Sequence, residues 1–193
     1  PIAGVPLLDR LEKAFFSVPS DPKTELVFCT DENRGVNFGF MDAVRQTGFL
    51  LFASLLRARA AQALRDMAAL VGDTSRSFAY QCLAEEIQSH IGPVFQQEDG
   101  GLHASTGRSC QPDLWGTAYA VHYGLLDEER EKAAAYFVMR ACLLEGASWK
   151  GQIRHVSPRQ DFSEQSAWEE TVIPLPVGHY QNGAFWALPV GWV

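Results

Sequence analysis

Residues 51–74 read LFASLLRARAAQALRDMAALVGDT, and this stretch decides the fold class. From Leu51 to Val71 it is built almost entirely of Leu, Ala and Arg, which are strong helix formers with no breaker among them. Gly72-Asp73 closes that helix as a C-cap would, and Thr74 or Ser75 is placed to cap a second one. The second helix runs to about Ile91, where Gly92-Pro93 stops it. Two helices joined by so short a connection form an antiparallel hairpin.

The same grammar extends outward. Leu7, Leu8, Leu11, Phe15 and Phe16 fall at helical spacing between Val5 and Val18, and Pro19 and Pro22 break the pattern. Thr24–Cys29 reads as a strand or extended segment, and Thr30–Phe40 as a polar, glycine-punctuated loop. Met41 onward reads as helix, with Gly48 ending or bending it. On the other side, Phe95–Gln111 is a polar loop holding Gly100, Gly101 and Gly107, with Leu102–Ala104 as a brief strand. Pro112 stands at the start of a helix over Asp113–Tyr123, which Gly124 terminates. Asp127-Glu128-Glu129 opens a further helix that runs to about Leu144 and ends at Gly146. Ser148–Gly183 is long and irregular, with a strand-like alternation over Gln152–Val156 and Pro158, Pro174 and Pro176 forbidding long helices. Gly183 opens what reads as another helix. The expected architecture is therefore all-α: helix pair, long loop, helix pair, long loop, with short β segments inside the loops. A long loop in a compact domain is usually functional, and these hold most of the Trp, His, Asn, Gln and Gly.

Composition narrows the partners. The chain of 193 residues carries 16 Lys and Arg against 23 Asp and Glu, a net charge of −7, which opposes non-specific nucleic-acid binding. Its hydrophobic share of 47% supports a core and excludes intrinsic disorder. No apolar run reaches the roughly 18–20 residues of a membrane span, and no N-terminal stretch resembles a secretory signal. Cys29, Cys82, Cys110 and Cys142 are widely separated; with no C-x-x-C pair a zinc ribbon or thioredoxin motif is excluded, and buried or inert thiols are the expectation. The compartment stays open. The chain starts at Pro1 and stops at Val193 within an apolar, aromatic run, so a fragment or processed chain is expected.

Four clusters carry chemistry-bearing side chains. The first is Asn37-Phe38-Gly39-Phe40-Met41-Asp42, where Asp42 sits at the mouth of a helix; its plain role is a helix N-terminal charge. The second is Gln111-Pro112-Asp113-Leu114-Trp115-Gly116-Thr117, where the plain roles are a capping Asp113 and a core Trp115. The third, Gln152-Ile153-Arg154-His155, presents Gln152, Arg154 or His155 on a strand, by default a solvated edge. The fourth, Gly178-His179-Tyr180-Gln181-Asn182-Gly183-Ala184-Phe185-Trp186, gathers imidazole, phenol, amide and indole groups. None contains a phosphate cradle, a metal-ligand spacing or a nucleophile elbow, so no cofactor and no metal are expected. Planar amides, carboxylates and aromatic faces suit sugar rings, whose C–H faces stack on Trp and Tyr while their hydroxyls take paired hydrogen bonds.

These motifs carry a resemblance. Gly39-Phe40-Met41-Asp42, the Ser54-Leu55-Leu56 helix, Pro112-Asp113-Leu114-Trp115-Gly116-Thr117 and Tyr180-Gln181-Asn182-Gly183-x-x-Trp186 resemble the six-hairpin glycosidases, the (α/α)6-barrel glycoside hydrolases related to trehalases, glucosidases and glycogen-debranching enzymes. The likeness covers most of residues 37–193, with residues 1–36 as an entry segment and loop to the single domain 1–193. It implies a double-layered toroid with the sugar pocket at the N-terminal ends of the inner helices. It also implies hydrolysis of an oligosaccharide or glycan terminus, commonly by inversion between an acid and a base carboxyl about 6.5–9.5 Å apart. The family's acidic Asp often follows a Gly-aromatic pair, which assigns Asp42 as general acid, with Met41 as an extra residue. Burial against Phe38, Phe40 or Trp186 would raise its pKa. Asp113, Trp115, Arg154, His155, His179, Tyr180, Gln181, Asn182 and Trp186 are the implied sugar-binding groups. The family's base Glu follows the segment that Tyr180–Trp186 resembles, and no such Glu precedes Val193; Glu32 and Asp113 are the in-chain substitutes, ranked below a residue outside the chain. The expectation is half of a twelve-helix barrel, with exposed apolar faces completed by further chain or by self-association.

Three other readings compete. One is a carbohydrate-binding half-barrel without turnover, distinguished by the lack of a second carboxylate across the pocket. Another is a helical interaction protein, which would have short polar loops. The last is a lyase or phosphorylase on the same barrel, the lyase kept open by His179-Tyr180.

Overall fold

The computed structural model describes residues 3–32, 44–108, 111–156, 170–171, 176, 178–180 and 183–193. Helix dominates. The elements are α1 (Leu7–Phe16), β1 (Phe28–Cys29), β2 (Val44–Arg45), β3 (Gly48–Phe49), α2 (Leu51–Leu70), α3 (Thr74–Phe95), α4 (Leu114–His122) and α5 (Glu128–Leu144). Then follow β4 (Ser148–Trp149), β5 (Gln152–Arg154), β6 (Glu170–Thr171), β7 (Phe185–Trp186) and a 3₁₀ turn, η1 (Leu188–Trp192). Among the described residues no helix is long and apolar enough to cross a membrane.

Both expected hairpins form. α2 and α3 pack along their length through Leu51, Leu55, Ala58, Ile87, Ile91 and Phe95, and Tyr119 and Ala120 of α4 complete this core. α4 and α5 pack through Leu114, Trp115, Ala118, Phe137, Val138 and Ala141. α1 is held by one deep anchor, Phe15, set among Ala61, Leu64, Ala68, Tyr80 and Ala84. The first turns of α2 and α4 touch, since a Cβ added at Gly116 would stand 2.6 Å from Leu51 Cδ2. Both helices therefore begin at the same end of the molecule.

At that end extended segments link the loops. Phe28 pairs with Phe49, Leu50 with Ser105, His103 with Pro112 and Asp113 with Val156, all antiparallel. β5 continues the series as the middle strand between β4 and β7, with Ile153 opposite both Ser148 and Trp186. Described backbone groups of these loop segments thus find partners, and the paired segments form a framework for the helix N-termini.

Several details differ from the sequence expectations. Residues 44–49 are short strands rather than helix, and the helix starts only at Leu51. The cause lies in the loop 105–107: Phe49 N–H donates to Thr106 Oγ1 (2.9 Å) and Thr106 N–H to Phe49 O (3.0 Å), which holds this segment extended. Gly48 has φ +80°, and a Cβ there would lie 2.5 Å from Thr106 Oγ1 and 2.9 Å from Gly107 N. We expect Gly48→Ala to cost at least about 2 kcal/mol, combining left-handed strain with the clash. Gly124→Ala, at φ +60° in open space, should cost only about 1 kcal/mol. Paired urea denaturation curves check the difference, and equal losses would refute the crowding at Gly48.

The second helix passes Gly92-Pro93 and ends at Phe95 rather than near Ile91. Proline costs one backbone donor, yet only Val94 and Phe95 follow it. The buried Phe95 ring contributes roughly 1.5–3 kcal/mol of apolar transfer that holds this last turn. Its N-cap is Asp73, whose carboxylate accepts from Arg76 N–H at 3.0 Å, rather than Thr74 or Ser75. Pro112 precedes the cap of α4, which is Asp113. Gly183 opens no helix: Phe185 and Trp186 pair with β5, and only the five-residue η1 follows. β5 is no solvated edge, because it has neighbours on both sides and buries Ile153. Cys29 and Cys142 are buried as expected, whereas Cys82 is exposed.

Candidate functional site

The second sequence cluster explains itself residue by residue. Asp113 accepts Gly116 N–H at 2.8 Å, which caps α4, and the same Oδ1 lies 3.1 Å from His155 Nε2. Gly116 leaves room for Leu51. Thr117, fully buried, donates to Asp113 O (2.7 Å) and accepts from Leu102 N–H (3.0 Å), tying the glycine-rich loop to the helix. Trp115 is 1% exposed and donates its indole N–H to Ile153 O at 3.3 Å. The plain roles of capping Asp and core Trp both hold, and each has a second consequence. Asp113 fixes the His155 imidazole, and Trp115 lies 4.9 Å from that ring.

The fourth cluster meets the second at an indole pair. Trp186 stands edge-on to Trp115 with centroids 6.2 Å apart. Tyr180 packs on Trp186 at 5.4 Å, and its carbonyl accepts both Ala184 N–H (3.1 Å) and the Trp186 indole N–H (3.3 Å). Tyr180 holds φ +44°, an unusual state for a bulky residue, which aims that carbonyl inward while the ring stays 42% exposed.

A cleft of about 320 Å³ opens beside this pair, lined by Phe52, Leu56, Trp115, Tyr119, His155, Leu188 and Trp192. It sits over the first two turns of α2 and α4. Phe52, Tyr119 and Trp192 form its aromatic walls, with Tyr119 to Trp192 at 5.0 Å and nearly perpendicular. His155, 5% exposed, is the titratable group that faces it besides Tyr119. A small ring with one apolar face fits these walls. A buried imidazole held by a carboxylate offers it a fixed polar contact.

Of the sequence-proposed binding residues, Trp115 and His155 line the cleft and Asp113 supports it from behind. Trp186 and Tyr180 stand behind Trp115 and outside the lining. Arg154 serves a different purpose: it donates to Gly183 O at 3.0 Å and lies over Phe185, binding β5 to the segment before β7. Burial draws its guanidinium below the ordinary arginine value. His179 is exposed and does not line the cleft. Asp42, Gln181 and Asn182 lie outside the described residues. Glu32 is exposed on the surface. Sequence reasoning passed over Phe52, Leu56, Tyr119, Leu188 and Trp192. The i, i+4 pairs Phe52/Leu56 and Trp115/Tyr119 were a readable signal for one shared face on each helix. Among the described residues no group of three His, Cys, Asp or Glu could hold a metal.

Tyr119 supplies a pH signature. Burial, then the neighbouring Tyr123, push its phenol above the usual tyrosine value, and Tyr80 is raised by burial and by its bond to Glu12. A folded-state pKa above the unfolded one, about 10, means that the protonated phenol favours folding. That contribution is complete below about pH 10 and is lost as pH rises through the folded value. Ultraviolet titration of phenolate should show late ionisation at Tyr80 and Tyr119. Tyr119→Phe should remove one of them; an unchanged titration would place Tyr119 in solvent.

No protein-family model matches this chain, and no curated protein matches it.

Proposed function

We propose that this chain is a domain of the (α/α)6 glycoside hydrolase kind, two hairpins of a toroid that hold a sugar ring in the cleft over the N-terminal ends of α2 and α4. The observation that carries this reading is the aromatic cleft with His155 fixed by Asp113 in its wall. Sugars bury their C–H faces on such rings and give hydroxyls to a fixed imidazole. The cleft also opens where the resemblance expects a sugar pocket. In the hydrolytic form of the proposal, Asp42 is the general acid that gives its proton to the leaving glycosidic oxygen. In the same step a base carboxylate on the opposite face of the sugar takes a proton from the water that attacks the anomeric carbon, which inverts it.

A specific observation supports a second reading, carbohydrate binding without turnover. Asp113, which stands behind His155 of the cleft wall, is buried and engaged by the α4 cap and His155, so it is not available to activate a water.

A panel of neutral mono- and disaccharides, titrated by methyl and indole NMR, tests binding. A supporting result is saturable shifts at Trp115 and Trp192 that weaken in Phe52→Ala. Aryl glycosides of the same sugars then separate the two forms: turnover abolished by Asp42→Asn, with binding retained, supports hydrolysis. Binding with no turnover of any substrate favours the second reading, and no saturable binding refutes both.

A further inference from the structure

Beyond the Tyr119 wall of the aromatic cleft stands a cation. Phe52, Leu56 and Arg59 follow one another at i, i+4 and i+7 on α2, so they project to one side of that helix. Phe52 and Leu56 line the cleft, and Arg59 comes about 4.5 Å further along by helix rise. On α4 the matching step runs from Tyr119, in the lining, to Tyr123, and the two rings are 4.5 Å apart. The Arg59 guanidinium bridges the rows, lying over the Tyr123 ring at 4.3 Å. Burial, then Tyr123, raise the Tyr119 phenol, and Arg59 beside it works the other way. His155 packs on Trp115, one turn of α4 before Tyr119, so the imidazole and the guanidinium flank the Tyr119 wall from opposite sides.

This cation lacks a counter-charge. Arg57, Arg65, Arg76, Arg130 and Arg140 each pair with a carboxylate. The partners of Arg59 are the Gln62 side-chain oxygen and the two tyrosines, all neutral, and no carboxylate pairs with it among the described residues. Unlike the buried Arg57, Arg59 is half-buried and keeps solvent-accessible surface. The cleft lining holds no carboxylate, and Asp113 behind it is engaged by the α4 cap and His155, so an anion entering the cleft meets no like charge in its walls. Contact with Tyr123 uses the flat face of the guanidinium and leaves its in-plane N–H donors to hydrogen bonds, of which Gln62 takes one. A carboxylate suits such a fork because it accepts two parallel charge-assisted bonds, each about twice as strong as a neutral one.

We propose that the ring held in this cleft is an acidic sugar, whose carboxylate takes a paired hydrogen bond from Arg59 while its C–H face lies on Phe52, Tyr119 and Trp192. This assignment rests on the carbohydrate reading above and narrows it to uronic acids and their glycosides. A carboxylate carried outside a six-membered ring covers the step from the cleft to Arg59.

Methyl glucuronide and methyl galacturonide, in both anomers, are the probes. Each is set against its neutral counterpart, methyl glucoside or methyl galactoside, which differs only at the exocyclic carbon. Indole resonances of Trp115 and Trp192 in the full chain report the dissociation constants. At least one acid should bind about tenfold more tightly than its neutral counterpart, with the preference shrinking as salt is added. Arg59→Gln should erase that preference at an unchanged melting temperature. Arg59→Lys, which keeps the charge without the fork, should retain part of it. Equal binding within every pair overturns the acidic-sugar assignment and leaves the carbohydrate reading standing. A preference that survives Arg59→Gln overturns it as well, because the carboxylate then lies elsewhere. Saturable binding of none of these sugars overturns both. Cyclohexanecarboxylate bound as tightly as the acids would keep a carboxylate at Arg59 and overturn the sugar.

Discussion

Replacing Trp115 with alanine should lower the unfolding free energy by about 3–5 kcal/mol, the range for deleting a large buried aromatic side chain. The indole is 1% exposed and is the largest fully buried side chain in the described structure. It packs on Phe137 and Cys142 of the α4–α5 core, meets His155 and Trp186 by ring contact, and bonds to β5 through Ile153 O. Alanine would open a cavity between three elements and leave a backbone carbonyl without its donor. Typical domains hold only about 5–15 kcal/mol in total, so the variant should stand close to its unfolding threshold. Chemical denaturation followed by far-ultraviolet circular dichroism measures it without relying on tryptophan emission. A loss under about 1 kcal/mol would mean that Trp115 is not packed between the helices and β5.

Asp113→Ala should cost about 2–4 kcal/mol. It removes the α4 cap, the bond from Gly116 N–H, worth about 0.5–2 kcal/mol, and the carboxylate contact of the buried His155 imidazole, worth about 1–3 kcal/mol. Asp113→Asn keeps an acceptor for both and should lose less than half as much. A double-mutant cycle with His155→Ala should give a coupling of about 0.5–3 kcal/mol, as for residues in contact. Additive losses would show that the 3.1 Å approach carries no energy of its own. Loss of coupling together with loss of sugar binding would tie the pair to the cleft rather than to the fold alone.

The framework of helices was legible from letters because its signals are local. A run of Leu and Ala from Leu51, a break at Gly72-Asp73, and an acidic cap at Asp127 each act within one or two turns. Asp113 and Trp115 were readable for the same reason, since an Asp before an apolar run is a cap and a Trp two residues on faces inward. Residues 44–49 and 183–186 were misread as helix because partners far along the chain decide their state. Phe49 is held by Thr106, 57 positions away, and Trp186 is paired with Ile153. Helix propensity carries no record of such partners.

Composition and periodicity alone determined that this chain makes helical hairpins separated by aromatic, polar loops, because each helix is closed by hydrogen bonds within four residues of itself. Which loop residues meet was decided only in three dimensions. The Asp113–His155 contact joins positions 42 apart, and Phe52, Tyr119 and Trp192 become one wall only when α2, α4 and η1 pack. A cleft is a property of packed surfaces, and the free energy that selects its lining is spread over contacts no local stretch of chain contains.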